Sequence, residues 1–189
     1  MLIKWIVCQV PENRREAFSR AQCAWKAIRD VDGLYGQWGG WNVHRPAEAG
    51  ILALWRDCSS HDAFMSQVHD SIFHATKQEH TYKRLSVTLL EGVSSLPEER
   101  EALRRALTSR WICVSDDQLH PERVDFLMRE QPSDRHTAEN LDGDVAALFT
   151  GRELNGPDRC LSFTLWRSRP DLESVRDCRL FRLQEEWLV

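Results

Sequence analysis

At 189 residues, with 42% hydrophobic and 29% charged residues, the chain carries enough apolar side chains for one or two globular domains. A net charge of −4 argues against nucleic acid as the main partner, because phosphate binding usually needs a basic surface. No apolar run reaches the roughly 18 residues of a membrane span, and MLIKWIVCQV has no basic leader or cleavage site, so a cytoplasmic protein is expected.

The six cysteines, Cys8, Cys23, Cys58, Cys113, Cys160 and Cys178, form no C-x-x-C pair. They read as reduced thiols rather than as a disulfide or metal framework.

Leu2 to Val10 is the first predicted strand, mostly apolar on both faces. Pro11 and Glu12 open a helix whose apolar face holds Ala17, Ala21, Ala24, Trp25 and Ile28. Gly33 follows at an expected helix stop. Leu34 to Val43 is a strand of alternating faces: Tyr35, Gln37, Trp41 and Val43 on one, Leu34, Trp38 and Asn42 on the other. A turn at His44 to Glu48 leads to the short apolar strand Ile51 to Trp55. Ser59 or Ser60 is expected to cap a second helix, with Ala63, Phe64, Val68, Ile72 and Phe73 inside and a break near His69-Asp70. Lys83 to Glu91 closes the unit as a strand with Leu85, Val87 and Leu89 on one face.

The order β-α-β-β-α-β is the ferredoxin-like arrangement. It predicts an α+β half over residues 1–92, a helical linker over 93–105 and a diverged second half over 106–189. The second half echoes the first. TSRWICVSD at Thr108 to Asp116 matches IKWIVCQVP, Pro121 to Glu130 matches the first helix, and Phe163 to Arg167 matches Leu52 to Arg56. Trp5 and Trp55 are 50 positions apart, Trp111 and Trp166 are 55 apart, and the two pairs read as structural twins. Val145 to Arg152 is the strand without a tryptophan, Pro132 to Gly143 a polar loop, Asp171 to Cys178 a short helix and Leu180 to Val189 the closing strand. Each sheet has one face bare of helices, so the two halves are expected to pair sheet to sheet as an intrachain dimeric α/β barrel.

IKWIVCQVPENRREAFSRAQ, GLYGQWGGW, VHDSIF and TYKRLSV make the first half resemble the YdbC-like bacterial proteins of the dimeric α/β barrel superfamily. That superfamily holds the antibiotic-biosynthesis monooxygenases. The resemblance implies a ferredoxin-like barrel half and admits a cofactor-independent monooxygenase. It also admits a non-enzymatic small-molecule-binding or stress-related protein. Haem-degrading members resemble one another in an Asn on the first strand and a Trp and a His on the second helix. This chain has neither that Asn nor that Trp.

Within the first half, His69 beside Asp70 is the candidate proton acceptor, although neighbours on a helix do not face each other. Gln37, Trp38, Trp41 and Trp55 are the candidate ligand-binding residues, and core packing is the competing reading for the tryptophans. His61, His74 and His80 read as solvent-facing, and His44 as a turn residue. No hydrolase, nucleotide-binding or zinc-peptidase motif is present, and no cofactor or metal is expected. The expected partner is a small molecule, and a homodimer is compatible with the pattern.

Overall fold

In the computed structural model, residues 1–92, 103–117, 144–156, 159–171 and 178–189 are described. The chain forms two units, one of Met1–Leu89 with Phe181–Val189, the other of Leu90–Leu180.

In unit 1, β1 (Leu2–Gln9) alternates as an extended strand must. Leu2 and Cys8 fall on the face covered by helices, in two separate apolar clusters. Pro11 precedes a 3₁₀ turn (Glu12–Arg14), where its missing N–H is no loss. Helix α1 (Arg15–Cys23) follows and tightens into a second 3₁₀ turn, Ala24–Ile28. It buries Phe18, Ala21, Gln22, Trp25 and Ile28, so Phe18 and Gln22, rather than Ala17 and Ala24, complete its inner stripe. Gly33 takes φ +81°, and the Ser60 side chain lies where its Cβ would be.

Strand β2 (Leu34–Asn42) pairs antiparallel with β3 (Glu48–Trp55), with a bulge between Leu34 and Gly36. The bulge shifts Leu34 to the helix-facing side, where it packs against the cluster that includes Trp25 and Trp55. Uninterrupted alternation predicts it beside Trp38. The turn is held from within: buried Glu48 accepts from Asn42 Nδ2 at 2.7 Å and Gln9 Nε2 at 3.3 Å, while Asn42 Oδ1 accepts the N–H groups of His44 and Arg45.

Asp57, not Ser59 or Ser60, caps the next helix by accepting from the Ser60 N–H at 2.7 Å. Helix α2 (Cys58–Phe64) runs into a π turn, Met65–His69, and then α3 (Asp70–Ala75). The helix break expected near His69 is this π turn, one residue wider than a normal turn. Lys77 then adopts the left-handed conformation, and a 3₁₀ turn (Gln78–His80) leads to β4 (Arg84–Gly92). The expected apolar face of β4 is covered only in part: Leu89 packs against the cluster of Leu2, Trp25 and Trp55, while Leu85 and Val87 are each 47% exposed.

The end of the chain belongs to unit 1. Strand β8 (Cys178–Leu183) sets Phe181, Arg182 and Leu183 against Asn42, Trp41 and Gly40. At Gly40 a Cβ would sit 2.2 Å from the Arg182 carbonyl oxygen, so only glycine permits this pairing. The expected closing strand Leu180 to Val189 ends early, in a 3₁₀ turn (Glu185–Trp187). Trp187 is fully buried, packs on Phe18 and Trp41, and donates from Nε1 to Ser19 Oγ at 2.9 Å. Val189 then exchanges two backbone hydrogen bonds with Gln37.

Unit 2 holds β5 (Trp111–Asp117), β6 (Val145–Glu153) and β7 (Cys160–Trp166), with β7 between the other two. The last residues of β4, Leu90 to Gly92, pair with β6. Residues 103–106 are helical. The rest of the expected linker helix, the Pro121 to Glu130 helix, the Pro132 to Gly143 loop and the body of the Asp171 to Cys178 helix lie outside the described residues.

Pairing register refines the internal repeat. Trp166 faces Trp111, whereas Trp55 faces Leu2. Taking Trp55 and Trp166 as equivalent, Trp111 stands where Leu2 does, not where Trp5 does. By the same register Lys4 corresponds to Cys113, and Gln37 to Leu148. Cys113 is bonded to Cys178, with Cα atoms 5.9 Å apart. The expectation of six free thiols is therefore corrected for this pair. Neighbouring strands bring together two cysteines separated by 65 positions, a distance at which spacing carries no signal. Cys8, Cys23, Cys58 and Cys160 are not joined in disulfides.

Candidate functional site

Between the two apolar clusters, the helix-covered face of unit 1 encloses a cavity of about 210 Å³. The sheet contributes Lys4, Gln37 and Trp55, and the first helical segment Gln22 and Trp25. Phe64, Met65, His69 and Phe73 come from α2, the π turn and α3. Gln78 and Tyr82 close one side, and half-exposed Leu85 and Val87 lie at its edge. The walls are mostly apolar with a few polar groups converging on them, the usual make-up of a small-molecule site.

The π turn brings His69 among three aromatic rings. Its imidazole stacks on Phe73 at 5.5 Å and packs against Trp25 at 5.4 Å and Phe64 at 5.8 Å. His69 Nδ1 lies 2.8 Å from Asp70 Oδ1, so the two adjacent residues do interact despite their places on the helix. The hydrogen bond from His69 holds the Asp70 carboxyl below its ordinary range. An ionised carboxylate only accepts, which puts the proton on Nδ1 and leaves Nε2 as the basic nitrogen.

Gln37 faces the cavity from β2, where its N–H and C=O both bond Val189 and it stands opposite Ala53 of β3. Trp25 donates from Nε1 to Gln78 Oε1 at 2.7 Å, fixing that amide. Burial raises both the Tyr82 hydroxyl and the Cys8 thiol, the latter to about 12, so Cys8 stays protonated and inert.

Of the residues singled out from sequence, His69, Gln37 and Trp55 line the cavity. Trp38 and Trp41 do not. Trp38 alternates with Gln37 to the opposite face of β2, its ring over Gly36. Trp41 shares the face of Gln37 but is taken up by Phe18 and Trp187, with the Arg15 guanidinium 3.9 Å above its ring. Core packing, the competing reading, describes both. His44, His74 and His80 are exposed.

Two site residues escape the sequence reading. His61, expected at the surface, is 6% exposed because α2 starts at Cys58 and turns this position inward. Lys4 is 9% exposed and places Nζ 3.0 Å from His61 Nε2 and 3.5 Å from Met65 Sδ. Burial pulls the Lys4 ammonium from 10.5 down to about 8. Burial, and then the Lys4 charge, lower His61 as well. The signal for Lys4 was present: it shares a period-two face with Leu2, Ile6 and Cys8, where a charge is out of place.

Comparison with known proteins covers both halves of the chain. A family model described as a domain of unknown function, DUF4937, matches residues 2–90. The uncharacterized protein YdbC of Bacillus subtilis is 36% identical over 93 residues, 48% of this chain and 78% of the relative. Among solved structures, a candidate monooxygenase from Lactobacillus acidophilus superposes with a TM-score of 0.70 at 10% identity, covering 100% of this chain and 95% of the other. Another from Fusobacterium nucleatum gives 0.66 at 9% identity, covering 97% and 91%. At such identities the likeness is one of fold, and it spans the full chain. The fold is the tandem ferredoxin-like, dimeric α/β barrel class, with both halves supplied by one polypeptide. Among the described residues no helix is long and apolar enough to cross a membrane, and no cluster of side chains is arranged to hold a metal.

Proposed function

The chain belongs to the family of YdbC, and from that premise we propose that unit 1 is a cofactor-independent monooxygenase site for a small aromatic or apolar molecule. The observation that carries this reading is the position of His69 in the cavity lining, its Nδ1 turned to Asp70. In such chemistry the substrate itself reduces oxygen. His69 Nε2 takes a proton from an activated CH₂ flanked by aromatic rings or carbonyls, and the carbanion passes an electron to O₂. The radicals combine to a peroxide, and loss of water leaves a ketone: R₂CH₂ + O₂ → R₂C=O + H₂O. The protein supplies shape, a base and exclusion of water.

Size narrows the substrate. A cavity of about 150 Å³ accepts benzene, so the 210 Å³ space suits one or two rings, with larger groups emerging past Leu85 and Val87. Oxygen uptake with small anthrone-like and dihydroxynaphthalene substrates tests the reading. His69→Ala is expected to slow turnover by about 100-fold or more. Unchanged turnover removes His69 as the base.

A second reading, a non-enzymatic binding protein, is favoured by the stacking of His69 on Phe73, which makes the imidazole part of a flat wall. Ligand binding without oxygen uptake selects it. In either case the reading takes the protein to be cytoplasmic, with a small molecule rather than nucleic acid as its partner, and allows a homodimer.

A further inference from the structure

Among the described residues, Lys4 is a buried cation with no anion beside it. Its recorded polar neighbours are the His61 imidazole and the Met65 sulfur, neither of them negative. Among the described residues no aspartate or glutamate lines the cavity. The titratable groups that do line it, besides Lys4, are His69 and Tyr82. Asp70 is engaged by His69 and its side chain is largely exposed. His61 Nδ1 lies 3.5 Å from Asp62 Oδ1, which leaves the Nε2 lone pair to accept from Lys4 and orients the amine. A buried charge is normally paired or absent, so an unpaired one at the wall of an apolar cavity calls for a ligand that brings the opposite charge.

We propose that Lys4, oriented by His61, binds the single oxyanion of a small phenol or enol, so that the cavity selects aromatic molecules carrying one acidic oxygen. The proposal rests on the reading of this cavity as a ligand site and adds the substrate class. A phenolate or enolate seated on the ammonium is also the electron-rich form that reacts with oxygen. The depressed ammonium of Lys4 is restored to full charge by the bound anion, and the two charges stabilise each other out of water. The second half lacks the device: the register position of Lys4 is Cys113, tied in a disulfide, and that of Gln37 is Leu148.

The test uses two probes of nearly equal shape, 4-nitrophenol and 4-nitroanisole, the second with its oxygen methylated. Binding is followed by tryptophan fluorescence, and ionisation of bound nitrophenol by its absorbance near neutral pH. The wild-type chain is expected to prefer nitrophenol at least tenfold and to hold it as the phenolate at a pH about one unit below its free titration. Lys4→Met is expected to abolish both effects while binding nitroanisole as before, which also certifies its fold. Equal binding of the two probes by the wild type overturns the oxyanion site and leaves the cavity reading standing. A preference that survives in Lys4→Met overturns the role of Lys4. Failure of both probes to bind the wild type overturns the cavity reading itself, and the proposal with it.

Discussion

Replacing Lys4 by methionine should make the protein more stable at neutral pH. The folded chain lowers the Lys4 ammonium from 10.5 to about 8, which corresponds to about 3 kcal/mol at about 1.4 kcal/mol per factor of ten. Because the folded state binds this proton more weakly than the unfolded one, the penalty is fully present below about pH 8. It is relieved as pH rises from about 8 towards 10.5. Methionine keeps a similar unbranched length and carries no charge. Against the gain stands the loss of the hydrogen bond to His61, about 1 kcal/mol. The net expectation is a gain of about 2 kcal/mol at pH 7 that vanishes by about pH 10. Urea unfolding of both proteins at the two pH values, followed by tryptophan fluorescence, measures the difference, and titrations common to both cancel. A variant less stable at pH 7, or one with the same gain at both pH values, refutes the view of Lys4 as an uncompensated buried cation. Stability given up at a single side chain is the usual mark of a position kept for binding.

Two further outcomes probe the frame around the site. Gly40→Ala should cost about 3 kcal/mol, because the new methyl meets the Arg182 backbone rather than a side chain that can rotate away; wild-type stability in the same urea assay contradicts the pairing of β2 with β8. The Cys113–Cys178 bond closes a loop of 65 residues and should contribute about 4 kcal/mol to unfolding. The denatured, unreduced protein is expected to yield four reactive thiols, from Cys8, Cys23, Cys58 and Cys160. Six thiols before reduction count against the bond, and melting unaffected by reductant counts against its contribution.

The order of elements in unit 1 was legible because each segment announces itself by period: two in LIKWIVCQ, near 3.6 through α1, and turn residues between. Fold class followed from that order and from the repeat. Faces were read less well. The bulge after Leu34 is a property of pairing, not of the segment, and it re-aims one residue without changing composition. Trp38 and Trp41 drew attention as rare, large side chains among glycines, yet those glycines exist to let tryptophan rings and neighbouring backbone come close. Trp187 lies 2.8 Å from where a Cβ of Gly39 would be. His61 reads as solvent-facing when Ser59 or Ser60 is taken as the cap, two or three residues after the Asp57 that caps the helix, and each residue of shift turns a side chain by about 100°. Lys4 belongs to no sequence motif and is not among the candidate site residues read from the sequence. The pattern held the anomaly, but the absence of a carboxylate opposite it could be seen only in three dimensions.

Trp187 and Val189 tie the end of the chain into the unit that carries the cavity, and this bears on how the protein is made. Translation delivers β1 to β4 first, then the whole of unit 2, and only afterwards Phe181–Val189. Until Trp187 emerges, Phe18 and Trp41 face an empty place, and until Val189 emerges, the backbone of Gln37 lacks two of its hydrogen bonds. Unit 1 is therefore completed only after unit 2 has been made, whereas N-terminal domains commonly fold first. The stretch matched by the DUF4937 model, residues 2–90, thus lacks the segment Phe181–Val189 that completes unit 1.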